Sequence, residues 1–481
     1  MNKNHLKAVA LGVALAGGLI GAAGNAYAGA QIVINNINAP GVGFNDPTPA
    51  APVGGNPGTT LGEQRLYAFT YAADQWGATL TSTIPIVISA QMTPLSCTST
   101  SAVLGSAGAT KVFRNFPNAP KADTWYSYAL ANKLSGTYQG TLNDPQISAN
   151  FNSNLGQTGC LDGQFFYLGV DGQFPTGSID FVTVLLHEMG HGIGFQTYTD
   201  GSTGRFNAGF PSIWDWYLMN GSTGKLWKDM TNAQRKASAI SVDKLVWSGP
   251  LVTAALPGVL TQGQPKLTVA GPNAGSAAGR YDVGTASFGP PIARSPLSGQ
   301  IMPVVDQPDG VTGLACNPLD AVNSLAVRGN IALIDRGTCA FTIKVKNAQN
   351  AGAIGVIIAD NAPGSPPAGL GGSDPTITIA AVRVTQTDGQ TIKAALASRT
   401  ARKSGVIGSL ALLGTQYQGA DRAGHMLMFA PNPYQSGSSV SHYDVTAFRN
   451  QLMEPAINGD LTHSVTPPED LTFPLLQDIG W

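Results

Sequence analysis

One stretch decides the expected fold of this chain, and it reads His187-Glu188-Met189-Gly190-His191-Gly192-Ile193-Gly194-Phe195. Its pattern is H-E-x-x-H-x-x-G-F. Two histidines four residues apart on a helix project from one face, about one turn apart, and can bind the same zinc ion. The glutamate between them can take a proton from a water molecule that the metal activates. The pattern therefore predicts a helix that carries two zinc ligands, His187 and His191, and a general base, Glu188.

Flanking residues agree with a helix at this position. Ser178 is a candidate N-cap, and Asp180 falls in the first turn, where a negative charge is favoured. An apolar stripe at helical spacing follows, made of Val182, Leu186, Met189 and Ile193. Gly194 can adopt the positive φ that ends a helix sharply.

A catalytic zinc site normally has three protein ligands, so the motif needs a partner. A nearby glutamate is excluded because the chain has four, Glu63, Glu188, Glu454 and Glu469, and none lies between the second and the third. Asp215 is one remaining candidate, with a structural role among aromatic residues as its alternative. Position 197 is Thr, so a histidine three residues after Gly194 is missing. The other candidates are three distal histidines, His425, His442 and His463.

Four separated motifs together resemble the leishmanolysin-type metzincins. They are His187 to Phe195, Ser441-His442-Tyr443, Leu452-Met453-Glu454-Pro455 and Asp478-Ile479-Gly480-Trp481. The resemblance implies zinc ligands His187, His191 and His442, Glu188 as the base, and Met453 in a Met-turn beneath the metal. This chain departs from the family in the 251 residues that separate His191 from His442.

The remaining candidate residues have simpler interpretations. His425 precedes an apolar run and is expected to be a packed or hydrogen-bonded core histidine. His463 follows the Met-turn, where a structural role is favoured over contact with substrate. Tyr443 is a candidate for stabilising an oxyanion, but packing beside the site is the simpler expectation.

A long segment between the second and third histidines resembles a protease-associated domain. The residues that carry this resemblance run from Val327-Arg328-Gly329-Asn330-Ile331 through Asp335-Arg336-Gly337-Thr338-Cys339 to Phe341 and Ala351-Gly352-Ala353. β-branched apolar runs on either side of a helical stretch, residues 341–351, predict strand–helix–strand order. Such an insert explains the distance to His442 without supplying catalytic groups.

The predicted fold is therefore α+β: a zincin-like or metzincin-like domain split by an inserted, β-rich α/β protease-associated domain. We expect a signal peptide at 1–28, an extended N-terminal arm at 29–62 and the first part of the metalloprotease domain at 63–264. The insert then occupies 265–402, and the second part of the metalloprotease domain occupies 403–481. The arm is also a candidate propeptide.

The N-terminus predicts export. Lys3 and Lys7 precede an apolar run, and Ala26-Tyr27-Ala28 is typical of a cleavage site. Without that leader, 25 basic residues face 28 acidic ones, a net charge of about −3, which gives no indication of a nucleic-acid partner. No later segment is long and apolar enough to predict a membrane span. The expected location is extracellular, with the periplasm as the alternative.

Four cysteines and export together favour disulfides over a cysteine metal site. The local pairs Cys97–Cys160 and Cys316–Cys339 fit the proposed domain division. Asp171 and Asp200 are candidate ligands for structural calcium, although no EF-hand-like spacing supports them.

The leading hypothesis is a secreted zinc endopeptidase that acts on proteins or peptides. The first alternative is a secreted binding or adhesion protein that keeps a zincin fold without turnover, although the intact Glu188 argues against it. A second alternative is a zinc hydrolase of a non-peptide amide, which a protease-associated domain does not favour.

Overall fold

A computed structural model of the chain describes residues 29–142, 144–175, 177–305, 313–364, 367–372 and 374–481. The predicted signal peptide lies outside the described residues.

Helices occur throughout the described residues. They are α1 (Leu61–Thr79), α2 (Tyr128–Ser135), α3 (Phe181–Ile193), α4 (Asn232–Ser238), α5 (Pro250–Val259), α6 (Ala321–Val327), α7 (Phe341–Asn350), α8 (Gln386–Ala395) and α9 (Thr472–Ile479).

Strands alternate with these helices. They are β1 (Ile32–Asn36), β2 (Ile86–Thr93), β3 (Cys97–Thr98), β4 (Ser101–Ala102), β5 (Gly105–Ala109), β6 (Val112–Phe113), β7 (Tyr126–Ser127), β8 (Ile147–Asn152), β9 (Phe165–Tyr167), β10 (Ser178–Asp180), β11 (Leu218–Asn220), β12 (Lys225–Leu226), β13 (Leu245–Trp247), β14 (Gln262–Ala270), β15 (Gly279–Asp282), β16 (Gly284–Thr285), β17 (Leu297–Pro303), β18 (Ile331–Asp335), β19 (Gly355–Ala359), β20 (Ala380–Val384), β21 (Ile407–Tyr417) and β22 (Met426–Leu427).

The sheet that supports the candidate site has the strand order β1-β2-β8-β5. β1, β2 and β8 are parallel, and β5 runs antiparallel to β8 at the end of the sheet. Helices α1 and α3 pack against each other, and the Trp76 indole of α1 donates to the Leu186 carbonyl of α3 at 3.1 Å. The segment predicted as an extended arm supplies β1 and buries Phe44 in this core.

A second sheet, ordered β15-β14-β21-β17-β18-β19-β20-β16, forms the insert. Its strands β17 to β20 are parallel, and α7 connects β18 to β19, in the predicted strand–helix–strand order. The chain enters on β14 and leaves on β21, and these two strands pair from Gln262 opposite Tyr417 onward. The sheet therefore extends beyond the predicted boundaries of 265 and 402. We call residues 262–417 the insert.

Residues on both sides of the insert share one hydrophobic core. Trp76, Phe195 and Trp247 precede the insert in sequence, Tyr443 and Leu475 follow it, and all five are fully buried in the same cluster. The apolar clusters of the insert are separate from this core. We call residues 29–261 and 418–481 together the outer unit.

The mixed α+β character is confirmed, as are both disulfides, Cys97–Cys160 and Cys316–Cys339. The predicted start of the active-site helix is wrong by two residues. Ser178 lies in β10, and Asp180 is the N-cap, because its carboxylate accepts the Thr183 amide at 2.9 Å. The described residues contain no helix that is long and apolar enough to cross a membrane.

Candidate metal centre

Three histidines meet at one point beside α3. Nε2 of His191 lies 3.2 Å from Nε2 of His187 and 3.2 Å from Nε2 of His442. We call His187, His191 and His442 the histidine trio. Among the described residues, it is the one group of three or more His, Cys, Asp or Glu side chains that could hold a metal ion together.

Backbone carbonyls fix the protonation of each ring in the trio. Nδ1 of His187 lies 2.8 Å from the Leu452 carbonyl, Nδ1 of His191 lies 2.8 Å from the Phe195 carbonyl, and Nδ1 of His442 lies 2.8 Å from the Ser438 carbonyl. A carbonyl only accepts, so each Nδ1 must carry a hydrogen. In a neutral imidazole the Nε2 atom is then an acceptor. Three lone pairs therefore converge, and a cation between them would relieve their repulsion.

Burial keeps the trio in this neutral form. It lowers the pKa of His187 to about 4 and that of His191 to about 3, where the charge of His187 adds to the effect. The pKa of His442 is also lowered well below its ordinary value, first by burial and then by the two neighbouring rings. At neutral pH all three rings are thus available as neutral ligands.

The trio fits a zinc ion. Two nitrogens about 2.0–2.1 Å from one tetrahedral zinc lie about 3.3–3.4 Å apart. The observed separations of 3.2 Å are within about 0.2 Å of that value. Imidazole nitrogens are ordinary zinc ligands, and the carbonyl contacts at Nδ1 are the supporting interactions expected around them.

Glu188 lies between the two histidines of α3 and against β5. A Cβ atom at Gly105 would approach Cγ of Glu188 to 2.8 Å, so the strand must be small there. The Ala107 amide donates to the Glu188 carboxylate. Burial raises the pKa of this carboxyl to about 8, and the Ala107 hydrogen bond opposes that rise. Glu188 is therefore a carboxyl group whose proton affinity suits exchange near neutral pH.

Met453 lies beneath α3, in a turn of the chain. A Cβ atom at Gly190 would come within 2.8 Å of the Met453 sulfur, so the glycine admits this side chain. The Gln451 amide donates to the Glu454 carboxylate at 2.7 Å across the turn. Next to Met453, the Leu452 carbonyl accepts the His187 ring, so the turn supports the trio directly.

The loop after α3 brings the distant His442 to the site. Position 197, where a contiguous motif would have a third histidine, is Thr197, and its amide donates to the Ser441 hydroxyl at 3.2 Å. Ser441 immediately precedes His442. The Phe195 and Tyr443 rings also pack edge to face, with centroids 5.0 Å apart. The structure thus places His442 beside the loop that lacks the histidine.

The other candidate ligands are occupied elsewhere. Asp215 is fully buried, accepts from the Thr199 hydroxyl at 2.6 Å and the Ser212 amide at 2.7 Å, and caps a short turn. His425 pairs with Asp421 in its own turn. His463 contacts Asp180 at 2.8 Å, at the opposite end of α3 from His191.

Tyr443 and the two candidate calcium ligands also have local partners. The Tyr443 hydroxyl donates to the Leu471 carbonyl at 2.8 Å and is buried in the core, as expected for a packing role. Asp171 accepts from Tyr167, and Asp200 accepts from Ser202 in the same turn.

Several supporting groups could not be identified from the sequence. The three carbonyls that orient the trio are backbone atoms, which carry no sequence signature. Ala107 and Gly105 belong to a small-residue strand far from the motif in sequence. The Asp478-Ile479-Gly480-Trp481 segment has a structural role, because the Trp481 indole donates to the Ile193 carbonyl at the end of α3.

Comparison with known proteins identifies one part of the chain. Residues 299–392 match the family model described as PA domain. ER degradation-enhancing alpha-mannosidase-like protein 3 of Homo sapiens is 54% identical over 46 residues, which are 10% of this chain and 5% of that protein. The probable lipoprotein aminopeptidase LpqL of Mycobacterium tuberculosis is 37% identical over 92 residues, 17% of this chain and 18% of that protein.

Among solved structures, the zinc aminopeptidase BSAP from Bacillus subtilis shares 18% identity over 41% of this chain and 39% of its own, with a TM-score of 0.24. A TM-score this low carries no information about the site. The chain spans less than a fifth of the two curated relatives. Because one is mannosidase-like and the other an aminopeptidase by name, these similarities leave the activity open.

Proposed function

We propose that this chain is a secreted zinc-dependent endopeptidase of the leishmanolysin-type metzincin group, interrupted by a PA domain. The observation that carries the proposal is the convergence of three neutral histidine Nε2 atoms beside a buried glutamate. In this proposal His187, His191 and His442 hold the zinc, Glu188 is the general base, and Met453 forms the Met-turn.

When bound, zinc would lower the pKa of a water molecule and polarise the scissile carbonyl. Glu188 would accept the proton of that water and deliver it to the leaving amine. The proton affinity that burial confers on Glu188 suits the first step, because a carboxylate with an ordinary pKa of 4.5 would take the proton from water less readily.

The outer edge of β5 lies beside Glu188 and supports a peptide as substrate, since no other strand of the described residues pairs with it. β5 pairs with β8 on one side, where the Leu104 carbonyl and the Thr110 amide bond to Asn152 and Gln146. Amide and carbonyl groups alternate in direction along a strand, so Ala107 directs its groups to the other side, toward Glu188. An extended peptide can add to such an edge through its backbone, with its scissile bond near the trio.

Export is part of the proposal. It rests on the composition of residues 1–28 and on two disulfides, which persist in oxidising compartments. N-terminal sequencing of protein recovered from the culture medium should start at Gly29. A mature chain that begins after residue 62 would instead identify the arm as a propeptide, although that arm supplies β1 of the sheet.

The test of activity uses two peptides with the same internal sequence. One carries an acetyl group and a C-terminal amide, and the other has a free N-terminus. An endopeptidase cleaves both internally, and a chelator abolishes cleavage. Cleavage of only the free peptide, one residue at a time, would replace the proposal with an aminopeptidase, the activity named for one curated relative.

Glu188→Gln is the matched variant for the same assay. It keeps the size of the side chain and should retain the metal, and the rate should fall by about 10²–10⁴-fold, as for loss of a general base. If wild type and Glu188→Gln cleave the peptides at the same low rate, the alternative of a binding or adhesion protein without turnover would be favoured.

A further inference from the structure

The turn that carries Met453 is held from below by the segment that begins α9. The Asp470 carboxylate is 2% exposed, and its Oδ2 atom accepts the Leu452 amide at 2.6 Å. Its Oδ1 atom accepts the Thr472 amide at 2.7 Å. Asp470 thus joins the start of α9 to Leu452, whose carbonyl accepts the Nδ1–H of His187.

A second contact holds the same turn from the other side. Gln451, fully buried, uses its Oε1 atom to accept the Leu471 amide at 2.9 Å. Its Nε2 atom donates to the Arg449 carbonyl at 2.9 Å. The Leu471 carbonyl in turn accepts the hydroxyl of Tyr443, the neighbour of His442. Residues 470 and 471 therefore contact Leu452, which accepts from the His187 ring, and Tyr443, which follows His442 in the chain.

We propose that Asp470 and Gln451 form a clamp that positions His187 for metal binding by fixing the backbone of Leu452, whose amide Asp470 binds and whose carbonyl accepts the His187 ring. Neither residue touches the trio, so both are positioning residues. This inference rests on the proposed zinc site, but it concerns residues that no motif or resemblance identified.

The chemistry of the contact explains why a carboxylate is needed. The Leu452 and Thr472 amides are both donors, so the side chain between them must accept twice. An ionised carboxylate accepts at both oxygens, and hydrogen bonds to it are stronger than neutral ones. An asparagine has one acceptor oxygen and would turn an NH₂ group toward one of the two amides. Burial raises the pKa of Asp470, and its two amide partners oppose that rise, Leu452 first.

The test measures metal binding by the full-length metal-free protein. Zinc affinity is obtained by competition with a chromophoric chelator, and the visible spectrum is recorded after Co²⁺ is added in place of zinc. Asp470→Asn should weaken zinc binding by about 10–100-fold, the usual effect of losing a group that orients a metal ligand, and should change the Co²⁺ spectrum.

Asp478→Asn is the matched control. Asp478 is also a mostly buried carboxylate of α9, and it accepts the Leu251 amide at 2.9 Å and the Trp247 indole at 3.0 Å. Its contacts stabilise the start of α5 and do not reach the Met453 turn. We expect the zinc affinity of this control to stay within about threefold of the wild-type value and its Co²⁺ spectrum to be unchanged. This should hold even if its melting temperature falls as far as that of the Asp470 variant.

A second variant guards against misfolding. If Asp470→Asn lacks the near-ultraviolet circular dichroism of the native chain, Gln451→Ala removes the other half of the clamp and should weaken zinc binding in the same direction. Wild-type affinity and spectrum in a folded variant of either kind would overturn the clamp while leaving the zinc site intact. Failure of the wild-type protein to bind Zn²⁺ or Co²⁺ would overturn the zinc site and the clamp together.

Discussion

Glu188 provides a quantitative prediction about the metal-free protein. The folded pKa of about 8 lies above the ordinary value of 4.5, and the main cause is burial. The folded chain therefore holds the proton to higher pH than the unfolded chain does. The contribution of protonated Glu188 to the free energy of unfolding is therefore fully present below pH 4.5 and is lost as pH rises toward 8. Glu188→Gln cannot ionise, so it should escape this loss.

The magnitude follows from the distance between the two pKa values. Each pH unit between them costs about 1.4 kcal/mol. The free energy of unfolding of metal-free Glu188→Gln should exceed that of the wild type by about 3 kcal/mol at pH 7 and about 5 kcal/mol at pH 9. At pH 4 the two proteins should be equal. The histidine trio titrates in both proteins, so its contribution cancels in the difference.

Tryptophan fluorescence during urea unfolding isolates the relevant part of the chain. All seven tryptophans lie in the outer unit, and the insert has none. Chelator-treated wild type and Glu188→Gln would be compared at pH 4, 7 and 9. Unfolding curves that differ by the same amount at every pH would refute the reasoning, because the burial of Glu188 would then not affect its ionisation.

Glu63→Gln is a control of opposite sign. Hydrogen bonds from Thr59, first from its amide and then from its hydroxyl, lower the pKa of Glu63 at the start of α1. That carboxylate contributes stability at high pH, which is lost as pH falls. The variant should therefore become less stable relative to wild type as pH rises, the reverse of Glu188→Gln.

Three further outcomes are expected. His442→Ala should lose zinc measured by atomic absorption after dialysis, whereas His425→Ala, whose ring pairs with Asp421, should keep it; equal retention would exclude His442 as a ligand. Metal-free Glu188→Gln, in which the opposing effect of Glu188 is absent, should lose stability as pH falls below about 6.5. Burial lowers the pKa values of the trio, so the unfolded chain takes up protons first, and a urea midpoint that does not change from pH 7 to 5 would contradict this. Replacing Cys97 and Cys160 together with alanine should lower the free energy of unfolding of the outer unit by about 4 kcal/mol, since the disulfide joins residues 63 positions apart. Urea unfolding followed by tryptophan fluorescence measures this change, and an unchanged midpoint would contradict the prediction.

The sequence predicted local elements more accurately than their boundaries. The stretch from His187 to Gly194 forms a helix because its apolar stripe packs in the core, and Gly194 ends it with φ 141°. Residues 125–134 have a helical composition, but α2 starts only at Tyr128, because residues 126–127 instead pair with β6. Composition could not reveal that pairing, which depends on a strand more than ten residues away. The same limit applies to the end of the insert, where β21, beyond the predicted boundary at residue 402, belongs to the sheet through its pairing with β14.

The candidate site also contains some groups that the sequence predicts and others that it does not. The side chains proposed to carry the chemistry, Glu188 and the trio, belong to recognisable patterns, and the structure brings the three histidines together. The groups that orient them do not, because a carbonyl such as that of Leu452 can belong to any residue type. Asp470 illustrates the difficulty: its sequence context is an ordinary helix start, and its contact with the Met453 turn exists only in the folded chain.

The position of His442, 251 positions after His191, raises the question of how a site tolerates so long an insertion. In a flexible chain, closing a loop of that size instead of the six residues to position 197 would cost about 3 kcal/mol more. The insert reduces this cost because its entry and exit strands pair, with Gln262 opposite Tyr417. Once the insert is folded, the outer unit continues from Thr261 to Gln418 as from neighbouring residues, and the Gln418 amide donates to the Thr261 carbonyl at 2.9 Å. Zinc bound by the trio would then link the two parts of the outer unit over a short effective loop, so a distant third ligand is compatible with a stable site.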